Sequence, residues 1–340
     1  MNSKQKNIGL GISIGIAVIF FISFESYAQD GTYPTDVLRL DPQMDNVVSP
    51  NAKVELISDG FNWTEGPLWV PEGQFLLFCD VPENKIFKWK EGEGTSIYLQ
   101  PSGYTGSIPR KSGGAGGLLL DNEGRLLLTQ QGDRQLGRMN SSVLNPKPNY
   151  TAVVDEMGGF KFNSPNDLTI DKKGNVYFTD PPYGLDLQDN DPTKELDYSG
   201  VYRLSIQGQL SIISKKLKRP NGIGLSPNGK TLYVANSDPD DPKLMAYDLN
   251  DNGEVIKERL LFDATKLLAN AKVRQNPDGL DVARNGNIFA TGPDGVLVLT
   301  PSGKHLGTIR TIMMPSNCDL NEDESVLYVT SDAHILKVTL

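Results

Sequence analysis

From about residue 51 onward the chain alternates short apolar runs with clusters of Gly, Asn, Asp and Pro. No stretch of it sustains a 3.6-residue hydrophobic period, so the pattern predicts many short strands joined by turns rather than helices. The strands recur in one phrase. A small or polar anchor opens a short apolar strand, a turn follows, and a second strand rich in Leu, Val, Tyr or Phe closes it. The copies read EGPLWVPEGQFLLFCD from Glu65, GGLLLDNEGRLLLTQ from Gly116, NDLTIDKKGNVYFTD from Asn166, NGIGLSPNGKTLYVAN from Asn221, DGLDVARNGNIFATG from Asp278 and NCDLNEDESVLYVTS from Asn317.

Repeats at this spacing point to blades of four strands. Turn glycines Gly73, Gly124, Gly174, Gly229 and Gly286 each stand eight positions after their anchor, with Ser325 in that place in the last copy. A barrel or a sandwich accounts for the strands but not for this constant phase. The expectation is an all-β fold, a six-bladed β-propeller over residues 51–340, with a central channel that binds metal. After the sixth phrase only His334–Leu340 remains, which leaves the last blade one strand short. The alternating segment Lys53–Ile57 is predicted to supply that strand and close the ring.

The first residues have a different pattern. Lys4 and Lys6 precede the apolar run Ile8–Phe24, and Ser26-Tyr27-Ala28 offers the small residues that a signal peptidase reads. Residues 1–28 are expected to be a secretory signal, and 29–50 a polar lead-in. The competing reading is an uncleaved membrane anchor, since the run nears the length that spans a bilayer. Cleavage would leave an exported protein, periplasmic or secreted, with no stable membrane association.

Composition narrows the partners. The 340 residues carry 33 Lys plus Arg against 42 Asp plus Glu, a net charge of −9, so attraction to nucleic acid or anionic lipid is disfavoured. With 34 Gly, 22 Pro and only two Cys, the chain has the turns a propeller needs and no disulfide framework. Cys79 and Cys318 fall at different phases, on a second strand and a channel strand, and are expected to be separate buried thiols.

In a propeller the first strand of each blade lines the channel, so residues of equal phase reach equal depth around one axis. Four of the six anchors, Glu65, Asn166, Asn221 and Asp278, would bring two carboxylates and two amides to the channel mouth. Any one of them alone is more often a turn former than a ligand. Together they make an oxygen-only set suited to a hard divalent cation, with calcium expected and zinc, magnesium or manganese as alternatives. A zinc-specific site would call for His or Cys, and His305 and His334 lie outside the phase.

These residues also carry a resemblance. FNWTEGPLW, NSPNDLTIDKKGNVYFTDPPYG, RPNGIGLSPNGKTLYVAN and NPDGLDV, in that order, resemble the gluconolactonase family that includes senescence marker protein 30 and luciferin-regenerating enzyme, over about residues 59–340. The resemblance implies a six-bladed propeller with a divalent cation in its channel, commonly calcium, that hydrolyses a sugar lactone or related lactone. It assigns metal binding to Glu65, Asn166, Asn221 and Asp278, and makes Asp278 the favoured general base. Two positions depart from the family pattern. Ser164 stands where some sugar lactonases carry Arg, and Gln130-Gln131 stands where bacterial relatives often have Glu-His.

Other routes to ester hydrolysis fit poorly. The only G-x-S-x-G is Gly11 to Gly15, inside the signal segment, so there is no nucleophile elbow. The glycine run Ser112–Gly117 lacks the Lys-Ser/Thr ending of a phosphate loop and reads as a flexible lead into the second blade. The rival functions are an arylesterase or phosphotriesterase at the same ion, and a propeller that binds a ligand without catalysis. Two long loops, Leu185–Ser199 and Gln100–Gly114, stand to cover the channel mouth or to be solvated surface. Tyr183 and Asp180 are the candidate substrate contacts.

Overall fold

A computed structural model describes residues 36–108 and 110–340; the expected signal segment lies outside them. Among the described residues, six antiparallel sheets of four or five strands follow one another along the chain, with a separate two-stranded ladder of Glu156–Met157 and Phe160–Lys161. Blade one holds Thr64–Val70, Phe75–Asp80, Lys85–Lys90 and Gly94–Leu99, and blade two runs from Ala115–Leu120 to Tyr150–Val154. Blade three opens at Leu168–Ile170, blade four at Pro220–Leu225, blade five at Leu280–Val282 and blade six at Pro315–Leu320. Each phrase of the sequence repeat is thus the first hairpin of one blade, and the fold is the expected six-bladed propeller.

The core is divided among the blade interfaces. Six buried clusters each draw on two neighbouring blades; Leu77 and Ile86 of blade one, for example, pack with Leu126, Leu128 and Met139 of blade two. Strands covered on both faces need apolar residues at successive positions rather than in alternation. Phe75–Asp80 is accordingly buried along its whole length.

The ring closes as predicted. Val54–Ser58 pairs antiparallel with His334–Thr339 and supplies the outer strand of blade six. At the same seam Leu76, Phe78 and Trp89 of blade one pack against Tyr328 and Ile335 of blade six, and the rings of Trp69 and Tyr328 stack 5.4 Å apart.

Two features differ from the sequence reading. The lead-in is a structural part of the propeller: Val37–Arg39 adds a fifth strand to blade five against His305–Arg310. Beyond it, Met44 and Val48 are fully buried between blades five and six. The turn phase is also looser than the glycines suggest. Gly124, Gly174, Gly229 and Gly286 do adopt the left-handed conformation, but in blade one it falls on Gln74 and in blade six on Glu324.

Candidate active site at the channel mouth

The anchors are set in place through their main chains. Thr129 donates its hydroxyl to the carbonyl of Asn166 (2.7 Å) and Thr179 donates to that of Asn221 (2.8 Å). Gly222 N–H donates to the Asp278 carbonyl (3.0 Å). A hydroxyl or amide on one blade therefore fixes the first strand of the next around the ring. Glycine is required where this approach is tightest. Gly66, next to Glu65, has φ +49°, and a Cβ there would lie 2.0 Å from the carbonyl oxygen of Gly116. The glycine run is accordingly packed rather than flexible: Gly114 N–H donates to Val81 (3.0 Å) and Gly117 N–H to Asn166 (2.7 Å).

Glu65, Asn166, Asn221 and Asp278 all line one cavity of about 510 Å³ at the channel mouth. Each is at least nine-tenths buried. Burial, then the nearby Asp167 carboxylate, pushes Glu65 up to about 8. Asp278 is raised well above the carboxylate range by burial first, then by Glu65 and Asp167. Gln275 Nε2 donates to Asp278 Oδ2 (2.6 Å), while Oδ1 is buried without a hydrogen-bond partner.

Among the described residues no three His, Cys, Asp or Glu side chains gather as a metal cluster. The set at the mouth is of another kind, two carboxylates with two amide oxygens. Its chemistry fits a hard cation: all donors are oxygen, two like charges are buried together, and one carboxylate oxygen lacks a partner.

The two candidate substrate contacts separate. Tyr183 lines the cavity; burial, then the Asp278 charge, raises its hydroxyl, which stays protonated. Asp180 does not line it. Both its carboxylate oxygens are taken by main-chain N–H groups, Oδ2 by Asn163 (2.9 Å) and Oδ1 by Ser164 (2.7 Å). Asp80 holds Asn62 and Trp63 in the same way in blade one, and Asn236 holds Arg219 in blade four. The residue ending the second strand therefore shapes the turn just before the anchor, and Asp180 is a positioning residue for Asn166.

Both long loops contribute to the mouth: Ser112 comes from one and Gln188 from the other. The first is pinned where Ser102, Gly103 and Tyr104 N–H groups converge on Asn84 Oδ1 at 2.8–3.1 Å. Cys79 and Cys318 are both buried free thiols. The sequence reading missed Arg219, Gln275 and Asn276, which also line the cavity. Their only signal was position, each two or three residues before an anchor.

A closed six-bladed propeller with an oxygen-rich cavity at one end of its channel defines the class. The chain belongs to the family described as SMP-30/Gluconolactonase/LRE-like region, whose model matches residues 63–333. A gluconolactonase of Zymomonas mobilis subsp. mobilis is 36% identical over 307 residues, 89% of this chain and 85% of that protein. The solved structure of a gluconolactonase from Xanthomonas campestris superposes with a TM-score of 0.77 at 26% identity, covering 91% of this chain and 96% of that one. A luciferin-regenerating enzyme shares the fold, with a TM-score of 0.67 at 18% identity over 85% of this chain and 96% of its own.

Proposed function

We propose that this protein is a lactonase of the gluconolactonase type, hydrolysing a sugar lactone or a related lactone at a divalent cation, with calcium as the cation. The observation that carries this reading is the meeting of Glu65, Asn166, Asn221 and Asp278 on one buried cavity. These four side chains would hold the ion. Bound there, the cation would polarise the lactone carbonyl and offset the negative charge of the tetrahedral stage.

The chain's own groups do the rest. Gln275 occupies Oδ2 of Asp278 and so fixes the carboxylate plane, leaving Oδ1 as the oxygen with capacity for a proton. Asp278 acts as general base: it takes a proton from water as the water oxygen bonds to the carbonyl carbon. The acyl–oxygen bond then breaks, the ring oxygen collects a proton, and a hydroxy acid leaves. Tyr183, protonated at neutral pH, faces the same cavity as a hydrogen-bond donor to the substrate.

The test is a panel of aldonolactones, aryl esters and phosphotriesters assayed side by side on metal-analysed protein. Lactone hydrolysis that a chelator abolishes and calcium restores supports the reading. Faster turnover of aryl esters or phosphotriesters assigns the site to those electrophiles, and no turnover leaves a binding propeller. We also propose that residues 1–28 are a cleaved signal and that the protein works outside the cytoplasm. Amino-terminal sequencing of the purified native protein checks this, and an intact Met1 would refute it.

A further inference from the structure

We infer that Arg219 and Asn276 form the wall that reads the hydroxyl groups of a polyhydroxylated, uncharged lactone; this rests on the lactonase reading above. Arg219 stands two residues before Asn221, in the phase that Ser164 occupies before Asn166 one blade earlier. Ser164 is fully buried and its hydroxyl is committed to the Pro181 carbonyl (2.5 Å), so it offers nothing to a ligand. Arg219 instead lines the cavity, its guanidinium over the Tyr183 ring at 5.5 Å.

The guanidinium is oriented from the long loop of blade three. Asp189 Oδ2 binds Nη2 at 2.6 Å, from the short helical turn Gln188–Asn190. Gln188 on that turn has φ +49° and lines the cavity as well. Left-handed non-glycine residues are costly and gather at ligand-facing turns. Arg219 Nη1 is shielded from solvent and has no hydrogen-bond partner, and the same holds for Asn276 Oδ1. Both residues line the cavity, and the unpaired donor of one with the unpaired acceptor of the other matches a hydroxyl group, which accepts and donates. The exposed turn that carries Asp189 gives the guanidinium room to bring Nη1 to a bound molecule.

Charge selects the class of substrate. Asp189 already neutralises Arg219, so the pair has little net attraction for a carboxylate. Apart from the Glu65 and Asp278 carboxylates of the proposed cation site, the remaining polar wall is uncharged, with Gln131, Gln188, Gln275, Ser112 and Ser237. Such a wall suits a neutral aldonolactone over a uronic-acid lactone or an apolar lactone.

The test compares glucono-δ-lactone with δ-valerolactone, the same ring without hydroxyl groups. In Arg219→Met, kcat/KM for gluconolactone is expected to fall by about 10- to 100-fold, as for a lost hydrogen bond to a charged group. Valerolactone should change less than about threefold, and melting temperature and metal content should be those of the wild type. Asp189→Asn, on an exposed turn, should give an intermediate loss confined to the hydroxylated ring. Equal losses for both lactones, or none for either, would overturn the proposal. Calorimetric binding of the non-hydrolysable lactam of gluconic acid separates it from the lactonase reading. Binding by the wild type that weakens in Arg219→Met supports the wall even if no lactone is turned over, and equal binding by both proteins, or none by either, refutes it.

Discussion

Leu56 pairs with Leu336, joining a strand from the start of the propeller to the last strand of the chain. This pairing covers the outer edge of His334–Thr339 in blade six and buries Val54 at 5% exposure. A chain beginning at Phe61 loses the strand and exposes His334–Thr339. Its melting temperature should drop by about 10 °C or more, since several kcal/mol of burial and pairing vanish and each costs roughly 2–4 °C in a domain of this size. Calorimetry of the two proteins decides it; equal melting temperatures would show that the closing strand contributes nothing.

Met44 should matter as much as a residue in a blade, although it lies in the lead-in. It is fully buried in the cluster that joins blades five and six, with Leu306 and Ile309. Met44→Ala is expected to cost about 2–5 kcal/mol, the range for deleting a buried Met side chain. Denaturant unfolding measures the cost, and lactone KM should stay at the wild-type value because the residue is remote from the cavity.

The propeller was legible because its repeat is written in local chemistry. An anchor, a strand, a turn and a strand use side chains whose preferences do not depend on distant contacts. The lead-in was not legible for the opposite reason. Val37–Arg39 is only three residues long and gains its role from an edge presented by His305–Arg310, far along the chain. At the site, the anchors Glu65, Asn166, Asn221 and Asp278 could be read from phase, whereas Arg219 and Asn276 could not. Their importance comes from which atoms are left without partners, and that is decided by the tertiary packing. Asp180 misled because an acid at the end of a strand reads alike whether it faces a ligand or its own main chain.

Asp180 makes a prediction with a pH signature. Burial lifts its carboxyl to about 7 from the ordinary 3.8, with the N–H groups of Asn163 and Ser164 opposing the shift. The native state therefore holds this proton more tightly than the unfolded chain does. The resulting stability is fully present below about pH 4 and is lost as pH rises toward 7. Asp180→Asn removes the titration and turns an amide NH₂ toward one of the two main-chain donors. The variant should melt lower than the wild type throughout, with a smaller gap at pH 8 than at pH 5. A gap that widened with pH would mean that the ionised carboxylate is the favoured native form.

Glu65 and Asp278 are the two carboxylates of the proposed cation site, but they should fail differently. Glu65 accepts a hydrogen bond from Gly66 N–H at 3.2 Å through Oε2 and has no proposed proton to move. Glu65→Gln should thus weaken metal retention and lower the thermal stabilisation that calcium confers, which follows RT ln(1 + [L]/Kd) for a ligand bound only by the native state. Excess calcium should restore part of its activity. Asp278→Asn keeps a side-chain oxygen for the ion but loses the base, so kcat should fall by about 10²- to 10⁴-fold, the usual contribution of a positioned proton acceptor. Calcium should not rescue it, and its melting temperature with the ion should stay close to that of the wild type. Metal analysis, melting curves with chelator or calcium, and kcat on a lactone together distinguish the two roles. Near-normal turnover by metal-loaded Asp278→Asn would remove Asp278 from the base role and leave it as a ligand alone.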